Sequence, residues 1–209
     1  MSMKHELTAD SNETIVNPRR VLAHYDEETV TVYQAFRPSI VANAVAGGTF
    51  GKGFGMDRMT WIKPSFGWML HRSEYATAHN QEAIARVRIT RVGFDAILEE
   101  AVLTHYVPAL YETELAWTTA LKRSRVRCQW DPDRNLRDGK LDRRAIQLGI
   151  SGDFVRRYVH EWIVGVEDVT ELAHTVRDAV RAKRSDLPEV PIERHYPVSE
   201  SVRRDLGCE

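Results

Sequence analysis

The chain has 209 residues and 24.0 kDa, 43% of them hydrophobic and 28% charged, with 29 Lys+Arg against 30 Asp+Glu for a net charge of -1. These values fit one globular domain with room for a core, and they exclude a histone-like polycation and a polyacidic tail protein. The basic residues are 23 Arg and 6 Lys, a bias toward the side chain that grips phosphate bidentately, although the codon habit of a genome produces the same skew.

In chain order, residues 1–17 are polar and read as a disordered leader with no secretory h-region. Residues 30–36 are β-branched and aromatic, which predicts a strand. A helix is expected after Pro38, with Ile40, Val41, Ala44 and Val45 on one face and Gly47-Gly48 at its end. Gly47, Gly48, Gly51, Gly53 and Gly55 follow that helix instead of opening one, so they read as a flexible loop and not as a phosphate-binding turn. Residues 59–62 read as a strand stopped by Pro64, and Ser65 as the N-cap of a helix over 66–72.

Residues 83–90 alternate apolar residues with Arg and predict a strand with one wet face. Phe94, Ile97, Leu98, Ala101 and Val102 have the spacing of a single helix. A helix over 112–121 and strands over 126–130 and 145–150 follow. Ser151 or Asp153 is expected to cap a helix carrying Phe154, Val155, Tyr158, Val159 and Trp162. After a strand at 163–166, Thr170 is expected to cap a helix with Leu172, Val176, Ala179 and Val180 inward. The expected fold is α+β: one domain over 18–186, a mixed, mostly antiparallel sheet with flanking helices, and a Pro-punctuated C-terminal tail over 187–209.

Cys128 sits in an apolar alternation and reads as a buried small hydrophobe, while Cys208 falls in a polar tail. Two cysteines make no disulfide framework, which points to the cytoplasm. No stretch approaches ~18 consecutive apolar residues, so no membrane partner is expected. The eight His are scattered without ligand spacing, and no metal site is expected. Residues 122–144 hold nine Lys+Arg against four Asp, a local excess that attracts DNA or RNA or simply faces water.

Three segments carry more chemistry than a core requires. They are Arg19 to Phe36, Arg58 to Ser73, and Arg125 to Arg134, each mixing cations, aromatic faces and amides or hydroxyls. That mixture suits a phosphorylated planar ligand, although Trp61, Phe66, Trp68 and Met69 also read as core. Together with QEAIARVRITRVGF, RRAIQLGIS and VHEWIVGVEDVT, these segments resemble the domain-of-unknown-function family 4291 from about Arg19 to Tyr196.

A remoter likeness is to ADP-ribosyltransferases, in the order of a Tyr33-Gln34 strand, a Gly-rich turn and a strand running into Ser65 and an aromatic helix. Gln129-x-Asp131 is similar to the Gln-x-Glu motif of that group, one methylene shorter. The likeness implies a transferase that uses NAD as substrate and passes ADP-ribose to a nucleic-acid base or a protein. Asp131 would stabilise the oxocarbenium-like state and Gln129 would orient the acceptor. Arg20, Lys63 or Arg72 would hold pyrophosphate, Tyr33 (beside Gln34) and Trp68 would stack on the rings, and Ser65 would bond ribose. Glu82, Glu161 and Glu167 are rival carboxylates. This reading requires Tyr33, Ser65, Trp68 and one of Asp131, Glu82, Glu161 or Glu167 to share a cleft. The alternative is a non-catalytic nucleotide- or RNA-binding module in which Arg20, Arg58, Lys63 and Arg127 hold phosphate.

Overall fold

Strands rich in β-branched residues assemble into three sheets in the computed structural model, which describes residues 18–209. β1 (Leu22–Ala23) pairs antiparallel with β9 (Arg194–His195). β2 (Thr29–Phe36), β4 (Ala83–Thr90) and β8 (Ile163–Asp168) form an antiparallel sheet in the order β2-β4-β8. β3 (Thr60–Ile62), β7 (Lys140–Ile150), β6 (Val126–Arg134) and β5 (Ala101–Leu103) form a second sheet in that order, with β5–β6 its parallel pair. The flanking helices are α1 (Pro38–Gly47), α2 (Phe66–Arg72), α3 (Arg91–Glu99), α4 (Glu114–Arg123), α5 (Asp153–Arg157), α6 (Thr170–Arg181) and α7 (Glu200–Leu206). A π-helical turn over Tyr158–Trp162 continues α5. The fold is a single α+β domain. The expected leader, 1–17, lies outside the described residues.

The two larger sheets meet at one bridge. Tyr33 N–H donates to Lys63 O at 2.7 Å and Lys63 N–H donates to Tyr33 O at 3.2 Å. Pro64 has no N–H, so the ladder cannot continue past it on that side. On the other side the Gln34 side chain enters the gap. Its Nε2 donates to Thr60 Oγ1 at 2.7 Å and to Trp61 O at 3.1 Å, and its Oε1 accepts from the buried Tyr158 hydroxyl at 2.7 Å. A side-chain amide thus replaces main-chain pairing, and β2 and β3 diverge beyond it.

The main core packs Val30, Val32, Val87, Ile89, Phe94, Ile97, Leu148 and Ile150 on one side of the sheets. A second cluster lies beneath α2 and α6, where Tyr33 and Ile84 meet Phe66, Met69, Leu70, Ala173 and Val176. This second cluster buries Ile84, so the Arg face of β4 is wet only at its far end, around Arg88.

Several local expectations change in the tertiary context. α3 ends at Glu99, and Ala101 and Val102 leave the helix for β5, because the edge of β6 offers a parallel partner that buries Ala101 and Leu103. Gly152, at φ 60° and ψ -131°, occupies the N-cap of α5, a conformation open essentially to glycine. Ser151 Oγ instead donates to Arg125 O, and Asp153 pairs with Arg125. At α6 the Asp168 carboxylate accepts from Thr170 N–H at 2.9 Å, while Thr170 Oγ1 accepts from Ile84 N–H at 3.0 Å. Thr170 therefore ties the helix to β4 instead of capping it. Val45 is 42% exposed, off the buried Val41–Ala44 face of α1, and Leu172 and Val180 are only partly buried beside Ala173, Val176 and Ala179.

The segment 187–209 is packed along the body. Tyr196 and Leu206 are fully buried, and Tyr196 OH donates to Asp95 at 2.6 Å. Cys208 is buried despite its polar neighbours, because α7 turns it inward. Cys128 is buried as expected.

Candidate functional site

The divergence of β2 from β3 opens a cleft of about 490 Å³. Gln34, Ala35 and Phe36 form one wall, and Trp61, Lys63, Gln129 and Gln147 form the other. Arg58 and Met59 close one end, Met69 and Arg72 of α2 another, and Asn80 and Gln81 the rim before β4. The second wall follows from strand periodicity, because Gln129 and Gln147 are cross-strand partners and Trp61 pairs with Gly149 two residues on. A side chain at Gly149 would stand 2.9 Å from the Trp61 ring, so glycine there lets the indole lie flat across the sheet.

Lys63 is the most unusual group in the cleft. It is 7% exposed, and its ammonium lies 5.0 Å from the centre of the Trp68 ring. Burial first, and the Arg72 guanidinium second, pull it down to about 7, against the attraction of Asp131. Neither Lys63 nor Arg58 nor Arg72 makes a side-chain hydrogen bond or an ion pair among the described residues. The cleft lining contains these three cations and no carboxylate.

The Gln-x-Asp pair stands at the edge of the same wall. Gln147 Nε2 donates to Gln129 Oε1 at 2.9 Å and to Asp131 Oδ2 at 2.6 Å. Burial pushes the Asp131 carboxyl above its ordinary range, opposed by Lys63 and by the Gln147 hydrogen bond. Asp131 is half-buried, bonded to Gln147, and outside the lining residues.

The structure brings together Gln34, Lys63, Arg72 and Gln129 of the sequence-predicted residues, and sends the others elsewhere. Tyr33 is 1% exposed with its ring against Phe66 at 5.0 Å, because its position on β2 points opposite to Gln34. Ser65 is buried at the α2 N-terminus, where it accepts from Trp68 N–H and donates to Asp133. Trp68 backs Lys63 from beneath and offers no ring face to the cleft. Arg20 pairs with Glu209 at 2.5 Å. Gln34 lines the cleft, but both donors of its amide are spent on the seam. The condition that Tyr33, Ser65 and Trp68 share one cleft with a carboxylate is therefore not met. Of the rival carboxylates, Glu161 pairs with Arg157 and Glu167 with Arg86. Glu82 Oε1 accepts from Asn80 N–H beside the rim. Among the described residues no cluster of three or more His, Cys, Asp or Glu could hold a metal ion, and no helix is long and apolar enough to cross a membrane.

Gln147, Gln81 and Asn80 line the cleft without being among the residues expected there. Gln147 had a signal, as the polar residue that alternates with Ile146, Leu148 and Ile150 and so lies on the strand face opposite that apolar row.

Below the cleft, the buried Asp133 and the partly buried Glu193 fasten the C-terminal segment to α2. Asp133, 1% exposed, accepts from Ser65 Oγ, Arg134 N–H and Arg143 Nε. Glu193 Oε1 accepts from Phe66 N–H at 2.7 Å. Burial, aided by Asp133, raises Glu193 from its ordinary 4.5 to about 7, against the Phe66 N–H and Arg143. A carboxyl raised on folding stabilises fully below 4.5, and that contribution is lost as pH rises through about 7. Glu193→Gln is expected to flatten this dependence, gaining up to roughly 3 kcal/mol over wild type between mildly acidic and mildly alkaline pH. Thermal unfolding of both proteins across that range checks it, and parallel curves would contradict it.

No curated protein and no solved structure matches the chain, so the ADP-ribosyltransferase likeness gains no support from such comparisons. A family model described as a domain of unknown function matches residues 20–196, most of the chain. The segments that resemble that family supply both walls of the cleft and the bridge between the sheets, and the chain belongs to this family, DUF4291.

Proposed function

We propose that the cleft at the sheet junction binds a phosphorylated nucleotide, NAD being the one that the ADP-ribosyltransferase likeness implies. The observation that carries this reading is a lining with three cations, none ion-paired among the described residues, and no carboxylate. Cations left without counter-charges in a concave, part-buried site favour an anionic ligand. Arg58 and Arg72 supply the guanidinium forks for phosphate, Phe36 and Trp61 supply ring faces, and Gln81, Gln129 and Gln147 supply amides for base or sugar edges.

Calorimetric titration with NAD, ADP-ribose and AMP tests the reading. Arg72→Ala is expected to weaken binding roughly ten- to a hundred-fold, the value of one charge-assisted hydrogen-bonding group. Arg204→Ala, at an exposed residue paired with Asp205, is expected to change nothing. Added salt should weaken binding. No binding of any of the three ligands would end the proposal.

A second reading, ADP-ribosyl transfer, rests on the Gln129–Gln147–Asp131 contact at the cleft edge. A carboxylate there would stabilise positive charge on a ribose seated in the cleft. Transfer of label from NAD to nucleic acid or protein, lost in Asp131→Asn while NAD binding persists, would establish it over the non-catalytic module. Label transfer that survives Asp131→Asn would remove Asp131 from the chemistry.

A further inference from the structure

A lysine buried without an ion-pair partner among the described residues has two physical uses: as an anchor for an anion, or as an amine kept ready to react. The surroundings of Lys63 favour the second. The anion-anchoring role in this cleft is available to Arg58 and Arg72, whose guanidinium forks match phosphate bidentately. Arg72 also opposes a second positive charge at Lys63, and burial acts in the same direction. The Lys63 main chain is held at both its N–H and its C=O by the bridge to Tyr33, and its side chain rests over the Trp68 ring. The amine is therefore positioned, largely shielded from water, and free of hydrogen-bond partners among the described residues. Those are the conditions under which a lysine attacks carbonyl carbon.

From this geometry we infer that Lys63 is a nucleophile that forms an imine with a phosphorylated aldose, a sugar phosphate with a free anomeric carbon. The class follows from the lining. Arg58 and Arg72 take the phosphate, and amides take the hydroxyls. Gln147 Oε1 and Gln129 Nε2 are the ends of their amides left without partners among the described residues once Gln147 has bonded Gln129 and Asp131. No carboxylate lines the cleft, and Asp131 at its edge is held by Gln147. In the step, the Lys63 Nζ lone pair attacks the open-chain aldehyde carbon. The carbonyl oxygen collects two protons, both formerly on the amine, and leaves as water, so that a C=N bond replaces C=O. Nothing is oxidised or reduced. The inference rests on the phosphate-binding reading of the cleft and adds a covalent ligand class to it.

The test is reductive trapping on the full chain. Ribose 5-phosphate with cyanoborohydride converts the imine to a stable secondary amine, and peptide mass spectrometry then locates the adduct. The expected result is an adduct predominantly on Lys63, diminished by inorganic phosphate and lost from Lys63 in Lys63→Met. Exposed Lys52 and Lys122 report background labelling in the same sample. Labelling spread over Lys52 and Lys122 with Lys63 unmodified would overturn the inference in the wild-type protein itself, whatever the variant does. An adduct on Lys63 that phosphate does not diminish would overturn the substrate class. Calorimetry with AMP separates the two ideas: AMP binding without trapping removes the nucleophile and keeps the nucleotide site, and trapping without AMP binding does the reverse.

Discussion

Gly67→Ala is expected to destabilise the protein by about 4 kcal/mol, one of the larger effects open to a single methyl group. A Cβ at Gly67 would stand 2.3 Å from the main-chain oxygen of Arg134. That oxygen belongs to the β6–β7 hairpin and cannot swing aside as a side-chain tip does. Alanine gains about 1 kcal/mol of helix propensity over glycine, which the clash outweighs. At about 2–4 °C per kcal/mol for a chain of this size, the melting temperature should fall by about 8–16 °C. Gly47→Ala is the internal control, since nothing lies within 4 Å of a Cβ there, and it should be neutral or slightly stabilising. A Gly67→Ala melting temperature equal to that of Gly47→Ala would show that α2 is not seated on the hairpin in this way. Because α2 carries Arg72 and Trp68, displacement of the helix should also weaken ligand binding in whatever fraction remains folded.

Gln34→Leu carries the second large effect, about 3 kcal/mol, for a different reason. The change keeps the side-chain volume and removes the polar atoms that hold the two sheets at their junction. Tyr158 OH, fully buried, loses its acceptor, while Thr60 and Trp61 O lose a donor but border the cleft. An unpaired buried hydroxyl costs about 1–3 kcal/mol, and groups reached by cleft water cost less. Tyr158→Phe added to Gln34→Leu should recover about 1–2 kcal/mol, because the orphaned hydroxyl is gone. Additive losses in that double-mutant cycle would mean that the Gln34–Tyr158 contact contributes nothing.

Gln34 and Tyr33 mark what strand periodicity specifies and what it does not. Gln34 stands beside Tyr33 in the strand that carries the ADP-ribosyltransferase likeness, which implies a ligand contact for it. Its real partners, Thr60, Trp61 and Tyr158, lie 26, 27 and 124 positions away, separations that periodicity does not register. Tyr33 shows the complementary error. It is one residue from Gln34, and strand alternation alone requires the two to point to opposite faces, so only one of them reaches the cleft. Asp131 and Gln129 share a face by the same alternation, and Gln147 contacts both.

Local chemistry by itself determined the α+β class, the strands at β2, β4 and β6, the Ser65 cap of α2 and the burial of Cys128. Each depends on period-two or helical spacing, or on one short-range hydrogen bond. The Ala101–Val102 switch from helix to strand, the inward turn of Cys208 and the seating of Glu193 under α2 were decided by tertiary structure. In each case a partner distant in sequence supplied the burial or the hydrogen bond that local propensity could not. The cleft belongs to this second kind. Its residues were visible in the sequence as a mixture of cations, amides and aromatics. Which of them face one another was decided by a single Tyr33–Lys63 bridge that Pro64 and Gln34 prevent from zipping further.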